Sequence, residues 1–578
     1  MEYERWLKNV PQGNPWQAEL EALADDTTLR TDAFRCALEF GTGGLRAEIG
    51  AGSNRMNHYT VGRATQGLAN YLKKTYPAEV AQGTLKAAIA YDTRRCSREF
   101  AAHAAQVLCQ SGVTVYLFDE GRPTPMLSFA VRHFGCHTGI VVTASHNPKE
   151  YNGYKAYNAT GGQLTDEAAA KVLAEINALD YFDGSLETER GLLGQVIALD
   201  AAFDEVYYAA SEQWLPRKEF TRREGHNLKL LYSPLHGTGL VPVTQLLTRQ
   251  GFLALLVVPS QKNQDDAHSF PTVKKPNPEE REAFGPAIAL AQTKKPDVIF
   301  ATDPDADRIG VLTQNSAGDY VVLSGTQTGA LLCDYLIRTC QELNTMPPNP
   351  AVVTTIVTGT LAERICRANG VHVDLVLTGF KYIGERMDEW KASGAHSFLF
   401  GFEESFGYLT GDVCRDKDAV ISSALVAEMA LYYKQKGVTL FDALQALYTR
   451  YGAVHEVLHN HEARGAAGLA QIAGWMAHLR AHAADCLPGE TVVAVEDYQT
   501  RTRRDLRTGE ATPIALPASN VLKLFLADGS WLVLRPSGTE PKIKLYICTA
   551  DAFAPGAPLS AAEARCAALL KKARALLQ

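Results

Sequence analysis

The chain has 578 residues, 46% hydrophobic and 21% charged, with 57 Lys plus Arg against 64 Asp plus Glu and a formal net charge of −7. That balance excludes a disordered tail protein and a collagen-like repeat, suggests about four domains at roughly 150 residues each, and gives no general basic footprint for nucleic acid. The 11 cysteines, odd in number and without a C-x-x-C pair, fit a reducing compartment better than a secreted disulfide framework.

The opening MEYERWLKNV carries charges where a leader peptide needs an apolar core. No apolar run approaches the ~18 residues needed to cross a bilayer, and LALLVV at 253–258 is strand-sized. The expectation is a soluble, cytoplasmic protein with no membrane or nucleic-acid partner. Its local basic clusters (Arg94, Arg95, Arg98; Arg501, Arg503, Arg504) read as solvated surface.

In chain order, residues 61–75 have an amphipathic helical pattern and 85–92 read as a buried strand. A helix over 98–111, a strand over 113–119 and a third buried strand at 139–144 follow. Such alternation predicts α/β units with largely parallel sheets. Joints are expected in the polar or proline-rich stretches 183–202, 261–280 and 345–350. Beyond about residue 450 the texture changes: an Ala/His-rich helical stretch at 461–486, without a functional reading, precedes the strand-like VVAVEDY, NVLKLFLA, SWLVLRP and IKLYICTA and a terminal helix. Grouped strands followed by a helix suggest a smaller α+β domain.

Three times a short apolar strand runs into a loop dense with reactive groups, as in IVVTASHNP, VIFATDPDADR and FLFGFEESFG. Open α/β sheets bind ligands at such carboxyl ends. In Asp303-Pro304-Asp305-Ala306-Asp307-Arg308, three carboxylates at spacing two would share one side of an extended segment. Like charges so crowded call for a cation, and a hard divalent ion suits them; a solvated acidic turn is the alternative. An EF-hand is excluded, because Arg308 stands where its Gly belongs and Gln314 where its Glu belongs. In Thr143-Ala144-Ser145-His146-Asn147-Pro148, the Ser145 hydroxyl just past a strand can act as nucleophile or phosphoryl carrier; a simple turn is the plainer reading. The loop lacks the glycines of G-x-S-x-G, and on an extended segment His146 would point away from Ser145. The segments 41–46 (GTGGLR, with Arg46) and 535–542 (RPSGTEPK) combine backbone N–H groups, hydroxyls and guanidinium forks suited to oxyanions. Either alone reads more plainly as a turn, and their joint occurrence with the acidic loop is what points to phosphate. Glu403 and Ser405, after FLF, can read vicinal sugar hydroxyls, flanked by Thr378-Gly379-Phe380-Lys381 and Arg415-Asp416-Lys417-Asp418; a capping sequence before a helix is the plainer reading.

Taken together and in this order, from about residue 40 to 550, these loops resemble those of the α-D-phosphohexomutase superfamily, most closely the phosphoglucomutase/phosphopentomutase branch. The resemblance implies an α/β fold of four domains around a central cleft: three related α/β domains with mixed sheets plus a smaller C-terminal α+β domain. The expected spans are 1–200 with the phosphoserine loop, 201–318 with the metal loop, 319–450 with the sugar loop and 451–578 with the phosphate loop. It implies a Mg²⁺-dependent intramolecular phosphotransferase acting on a small phosphosugar, with glucose 1,6-bisphosphate as activator and intermediate; it sets no oligomeric state. Phosphate would ride on Ser145, and Mg²⁺ would be held by Asp303, Asp305, Asp307 and the phosphoserine. Lys155 would be the general base, with its pKa depressed by nearby arginines and with His146 in support. Arg46 and Arg308 would add charge stabilisation. Thr378, Gly379, Glu403, Ser405 and Lys417 would contact the sugar, and Arg535, Ser537, Gly538 and Thr539 the fixed phosphate. Glucose 1-phosphate is the first-choice substrate, then ribose or deoxyribose 1-phosphate, then mannose 1-phosphate. A metal-dependent phosphatase or serine hydrolase using Ser145, and a non-catalytic sugar-phosphate-binding protein, are the competing classes.

Overall fold

A computed structural model describes residues 2–577 except 42–43, 183–192, 263–267, 464–465, 538–541 and 551–552. The chain divides into two compact units. The first comprises Met1–Ser324, Ile383–Gly394 and Ser405–Lys436, and the second Gly325–Tyr382, Ala395–Glu404 and Gly437–Gln578.

The first unit opens on a six-stranded sheet of β1 (Gly44–Glu48), β2 (Lys86–Tyr91), β3 (Thr114–Phe118), β4 (Thr138–Val142), β5 (Tyr151–Tyr157) and β6 (Val196–Leu199), in the order β1-β5-β4-β2-β3-β6. β2 is parallel to β3 and β4, whereas β5 runs against both β4 and β1. The expected strands and helices are found here. The helix His58–Thr75 starts where Asn57 and Thr60 form a reciprocal capping box, and it buries Val61, Ala64, Leu68 and Leu72 against the sheet's core. Part of the expected joint at 183–202 is instead the edge strand β6, paired in parallel with β3. Gly153 in β5 is required by close approach, since a Cβ there would lie 2.5 Å from Thr143 O and 2.8 Å from Leu45 O.

A second sheet, in the order β11-β10-β9-β7-β8, holds β7 (Leu230–Ser233), β8 (Leu255–Val257), β9 (Val298–Thr302), β10 (Ile309–Gln314) and β11 (Tyr320–Leu323). Its first three strands are parallel and β10 turns back antiparallel to β9, so residues 303–308 form the connection between two buried strands. The helix Ala419–Gln435, also in this unit, is N-capped by Asp418, which accepts from Val420 N and Ile421 N at 2.9 Å.

In the second unit, strands Pro350–Thr355, His372–Val376 and Ser397–Glu403 pair in parallel. The C-terminal sheet is antiparallel throughout and runs from Glu456–Glu462 through Lys542–Cys548, Trp531–Pro536, Leu522–Leu526 and Val492–Asp497 to two short strands. The Ala/His-rich stretch forms the helix Ala466–Ala481, which packs Ile472, Met476 and Leu479 onto one face of this sheet beside the terminal helix Leu559–Ala575. The fold is thus α/β with parallel or mixed sheets, followed by a smaller, mainly antiparallel C-terminal domain. All 11 cysteines are free thiols, most of them buried. Among the described residues, no helix is long and apolar enough to cross a membrane.

Candidate active site

β4 delivers Ser145. The residue adopts φ 52°, in the left-handed region that costs a non-glycine residue about 1–3 kcal/mol. Its N–H is held by Thr143 Oγ1 at 2.8 Å. Because the backbone is not extended here, the expectation that His146 points away fails: His146 Nδ1 lies 3.2 Å from Ser145 Oγ. The Ser145 hydroxyl donates to Asp303 Oδ2 at 2.7 Å, joining two loops 158 residues apart in the chain.

Arg94, read from sequence as solvated surface, is a buried clamp on this loop. Its guanidinium donates to the carbonyls of Ser145 (2.5 Å), Asn147 (2.6 Å), Pro148 (2.8 Å) and Tyr151 (3.1 Å). Its charge is met by Asp92 at 3.1 Å, with both side chains 0% exposed, and Asp92 also accepts from Ser97 and Thr143. The signal was the placement of Asp92 and Arg94 at the carboxyl end of a buried strand, the same setting as the other functional loops. Arg95 and Arg98 are exposed, as expected. Arg94→Met would leave the Asp92 carboxylate buried without its cation, a loss of about 3–5 kcal/mol. Denaturant unfolding should show that loss, and steady-state kinetics a fall in kcat of about 10²-fold with KM little changed.

The metal loop also departs from the extended geometry. Ala306 adopts φ 46° and its N–H bonds to Asp303 O at 2.9 Å, so 303–307 is a turn. The carboxylates of Asp303, Asp305 and Asp307 converge because the chain bends around them: one oxygen from each lies within 4.8 Å of the others, and all three residues are buried. Thr124 Oγ1 holds Asp305 Oδ2 at 2.9 Å, and Arg308 N holds Asp303 Oδ1 at 3.0 Å. Gly237 lets the turn close, since a Cβ there would meet Pro304 Cα at 2.4 Å. Asp305 Oδ1 and Asp307 Oδ1 are buried without a hydrogen-bond partner. Three hard oxygen donors, two of them with an unfilled lone-pair direction, fit a divalent cation, and this group could hold a metal ion.

Two lysines lie against the cluster. Lys155 Nζ is 2.7 Å from Asp305 Oδ2 and 3.1 Å from Asp307 Oδ2. Lys417 Nζ is 3.2 Å from Asp307 Oδ2 and 2.9 Å from Asp416 Oδ1. Burial alone would lower the Lys155 pKa, but the Asp305 and Asp307 charges outweigh it and the net shift is upward. The expected depression by arginines is therefore not found, because the nearest charges are carboxylates. His146 moves the other way: burial, then the charges of Arg308 and Arg46, hold its imidazole well below the usual range. Arg46 reaches the same loop through Asn147 Oδ1 at 3.3 Å, and Arg308 pairs with Glu279 at 2.6 Å. Lys417, expected among the sugar contacts, sits on the acidic cluster in this arrangement.

The remaining expected residues fall mostly in the second unit. Glu403 Oε1 accepts from Gly379 N at 2.8 Å, where Gly379 takes φ 127°, and Thr378 adjoins them half-buried. Glu404, within the expected sugar loop but not among its expected contacts, is raised to about 7 by burial and by Glu403, an effect opposed by Lys544 and Arg535. The sugar and phosphate loops therefore lie within electrostatic reach of each other. Ser537 N bonds to Lys542 O at 2.8 Å. Gly538 and Thr539, with Thr42 and Gly43 of the GTGGLR loop, lie outside the described residues. Ser405 is half-buried and belongs to the first unit.

Residues 37–182, 205–318 and 324–451 match, in turn, the alpha/beta/alpha domains I, II and III of phosphoglucomutase/phosphomannomutase, and residues 489–552 match its C-terminal domain. A phosphoglucomutase of Staphylococcus haemolyticus is 38% identical over 525 residues, covering 90% of this chain and 92% of the relative. One of Staphylococcus aureus is 33% identical over 556 residues, covering 95% of each. Among solved structures, a putative phosphomannomutase from Thermus thermophilus shares the fold with a TM-score of 0.67 at 22% identity, over 94% of this chain and 99% of that one. A phosphoglucomutase (parafusin) from Paramecium does so with a TM-score of 0.64 at 16% identity, over 94% of this chain and 95% of that one.

Proposed function

The chain belongs to the phosphoglucomutase/phosphomannomutase family, and from that premise we propose that it is a cytoplasmic phosphoglucomutase. It interconverts glucose 1-phosphate and glucose 6-phosphate through phospho-Ser145 and a glucose 1,6-bisphosphate intermediate. The observation that carries the reading is the buried Ser145 hydroxyl, aimed at Asp303 Oδ2 from 2.7 Å at the edge of the Asp303–Asp305–Asp307 cluster. The name shared by the curated relatives supports glucose phosphates as substrates. The same reading keeps four domains, with divisions near residues 200, 318 and 450.

Asp303, Asp305, Asp307 and an oxygen of phospho-Ser145 would hold Mg²⁺, which when bound supplies neutralisation of the phosphoryl charge. In the first transfer, the phosphoserine P–O bond breaks as a substrate hydroxyl oxygen bonds to phosphorus. The hydroxyl proton passes to His146, 3.2 Å from Ser145 Oγ, whose imidazole is kept neutral by burial and by the Arg308 and Arg46 charges. Lys155, held charged by Asp305 and Asp307, adds positive charge beside the transferring group. Arg46 and Arg308 offset negative charge around the transferring group. Thr378, Gly379 and Glu403 read the sugar's hydroxyls. The clamp of Arg535, Ser537, Gly538 and Thr539 holds the phosphate that does not react. The bisphosphate then turns round, and its other phosphoryl group returns to Ser145.

Initial rates with glucose 1-phosphate, ribose 1-phosphate, deoxyribose 1-phosphate and mannose 1-phosphate test the substrate. The expected order of kcat/KM places glucose 1-phosphate first, by about tenfold or more over the pentoses. Preference for a pentose would move the assignment to a phosphopentomutase. Release of inorganic phosphate without isomerisation would replace it with a phosphatase.

A further inference from the structure

The helices Ala466–Ala481 and Leu559–Ala575 pack on one face of the C-terminal sheet. On its other face, cross-strand register aligns Arg503, Glu496 and Lys523 in one row and sets Phe525 beside Trp531. Together with Ile356 and Glu363 of the same unit, these residues line a cavity of about 440 Å³. A volume of that size suits a small ligand. None of the residues assigned to phosphoryl transfer lines it.

Two buried donors here lack the partners that burial requires. Lys523 is 6% exposed, and its ammonium donates to one neutral acceptor, Ile356 O, at 2.7 Å. Among the described residues it makes no ion pair. Glu496 is engaged by Arg503 at 2.6 Å and by Tyr498 at 2.7 Å, and with Glu363 it acts on Lys523 only from a distance. Trp531 is 2% exposed, and its indole N–H has no hydrogen-bond partner among the described residues. An unpaired buried cation and an orphaned buried N–H are both costly unless an acceptor arrives. The surrounding walls are aromatic: Lys523 Nζ lies 4.4 Å from the Trp531 ring centroid and 5.2 Å from that of Phe525.

We propose that this cavity binds a small aromatic carboxylate, its oxygens accepting from Lys523 Nζ and the Trp531 indole N–H and its flat body packing on Phe525. The anion completes the charge balance of Lys523, and the ring occupies the apolar remainder of the cavity. This is a ligand site separate from the phosphosugar site.

The test is calorimetric titration of the full chain with benzoate, compared with benzamide, which keeps the ring without the charge, and inorganic phosphate, which keeps charge without the ring. Benzoate should bind with one equivalent per chain, benzamide about tenfold or more weakly, and phosphate should not displace benzoate. Lys523→Met should weaken benzoate by about tenfold or more, and Trp531→Phe, which preserves the packing, by about fivefold. Both variants should turn over glucose 1-phosphate at the wild-type rate in the absence of benzoate. Any of three results would overturn the proposal: no benzoate binding at millimolar concentration, equal affinity for benzamide, or unchanged affinity in both variants.

Discussion

Replacing Ser145 with Ala is expected to lower turnover of glucose 1-phosphate by about 10⁴-fold or more, with the fold retained. The proposed mechanism has one phosphoryl acceptor on the protein, and the substitution deletes that oxygen alone. Thr143 Oγ1 still accepts from the backbone N–H of residue 145, and the Arg94 bonds to the loop carbonyls remain. The structural loss is the hydrogen bond to Asp303, worth roughly 1.5–3 kcal/mol as a bond to a charged group. Thermal unfolding should therefore show a cooperative transition shifted by a few degrees, beside activity near background. Turnover within tenfold of wild type would mean that the phosphoryl group travels by another route.

Asp305→Asn should have the next largest effect, a loss of about 10³-fold in kcat/KM at low Mg²⁺. The substitution keeps the shape of the side chain, so Thr124 can still hold it, but removes one charge from a cluster of three. Rates measured against Mg²⁺ concentration should show the midpoint moved upward by about tenfold or more. For the wild-type protein, chelation should abolish turnover and added Mg²⁺ restore it. Full activity after exhaustive chelation would contradict the assignment of the buried aspartates to a metal.

Much of this site was legible from residue order because its parts are short, local and chemically distinctive. A triple carboxylate after a buried strand and a hydroxyl loop ended by proline keep their meaning whatever surrounds them. The strands leading into them were legible for the same reason, being apolar runs bounded by polar turns. What escaped depends on how distant segments meet. Arg94 reads as one of three surface arginines until the loop at 145–151 folds over it and offers four carbonyls. The pKa direction of Lys155 turns on Asp305 and Asp307, 150 and 152 residues away. The backbone of both site loops escaped as well: Ser145 and Ala306 take positive φ, which residue type does not announce. The Ala/His-rich stretch hid its role because alanine gives little contrast between faces; Ile472, Met476 and Leu479, with Trp475 beside them, mark the side that packs.

Intact-mass spectrometry before and after incubation with glucose 1,6-bisphosphate tests the central claim most directly. The wild-type chain should gain the mass of one phosphoryl group, on the peptide containing Ser145, and lose it on addition of glucose 1-phosphate, while Ser145→Ala should gain nothing. A wild-type chain that never carries that mass, or a Ser145→Ala chain that carries it equally, would contradict the account.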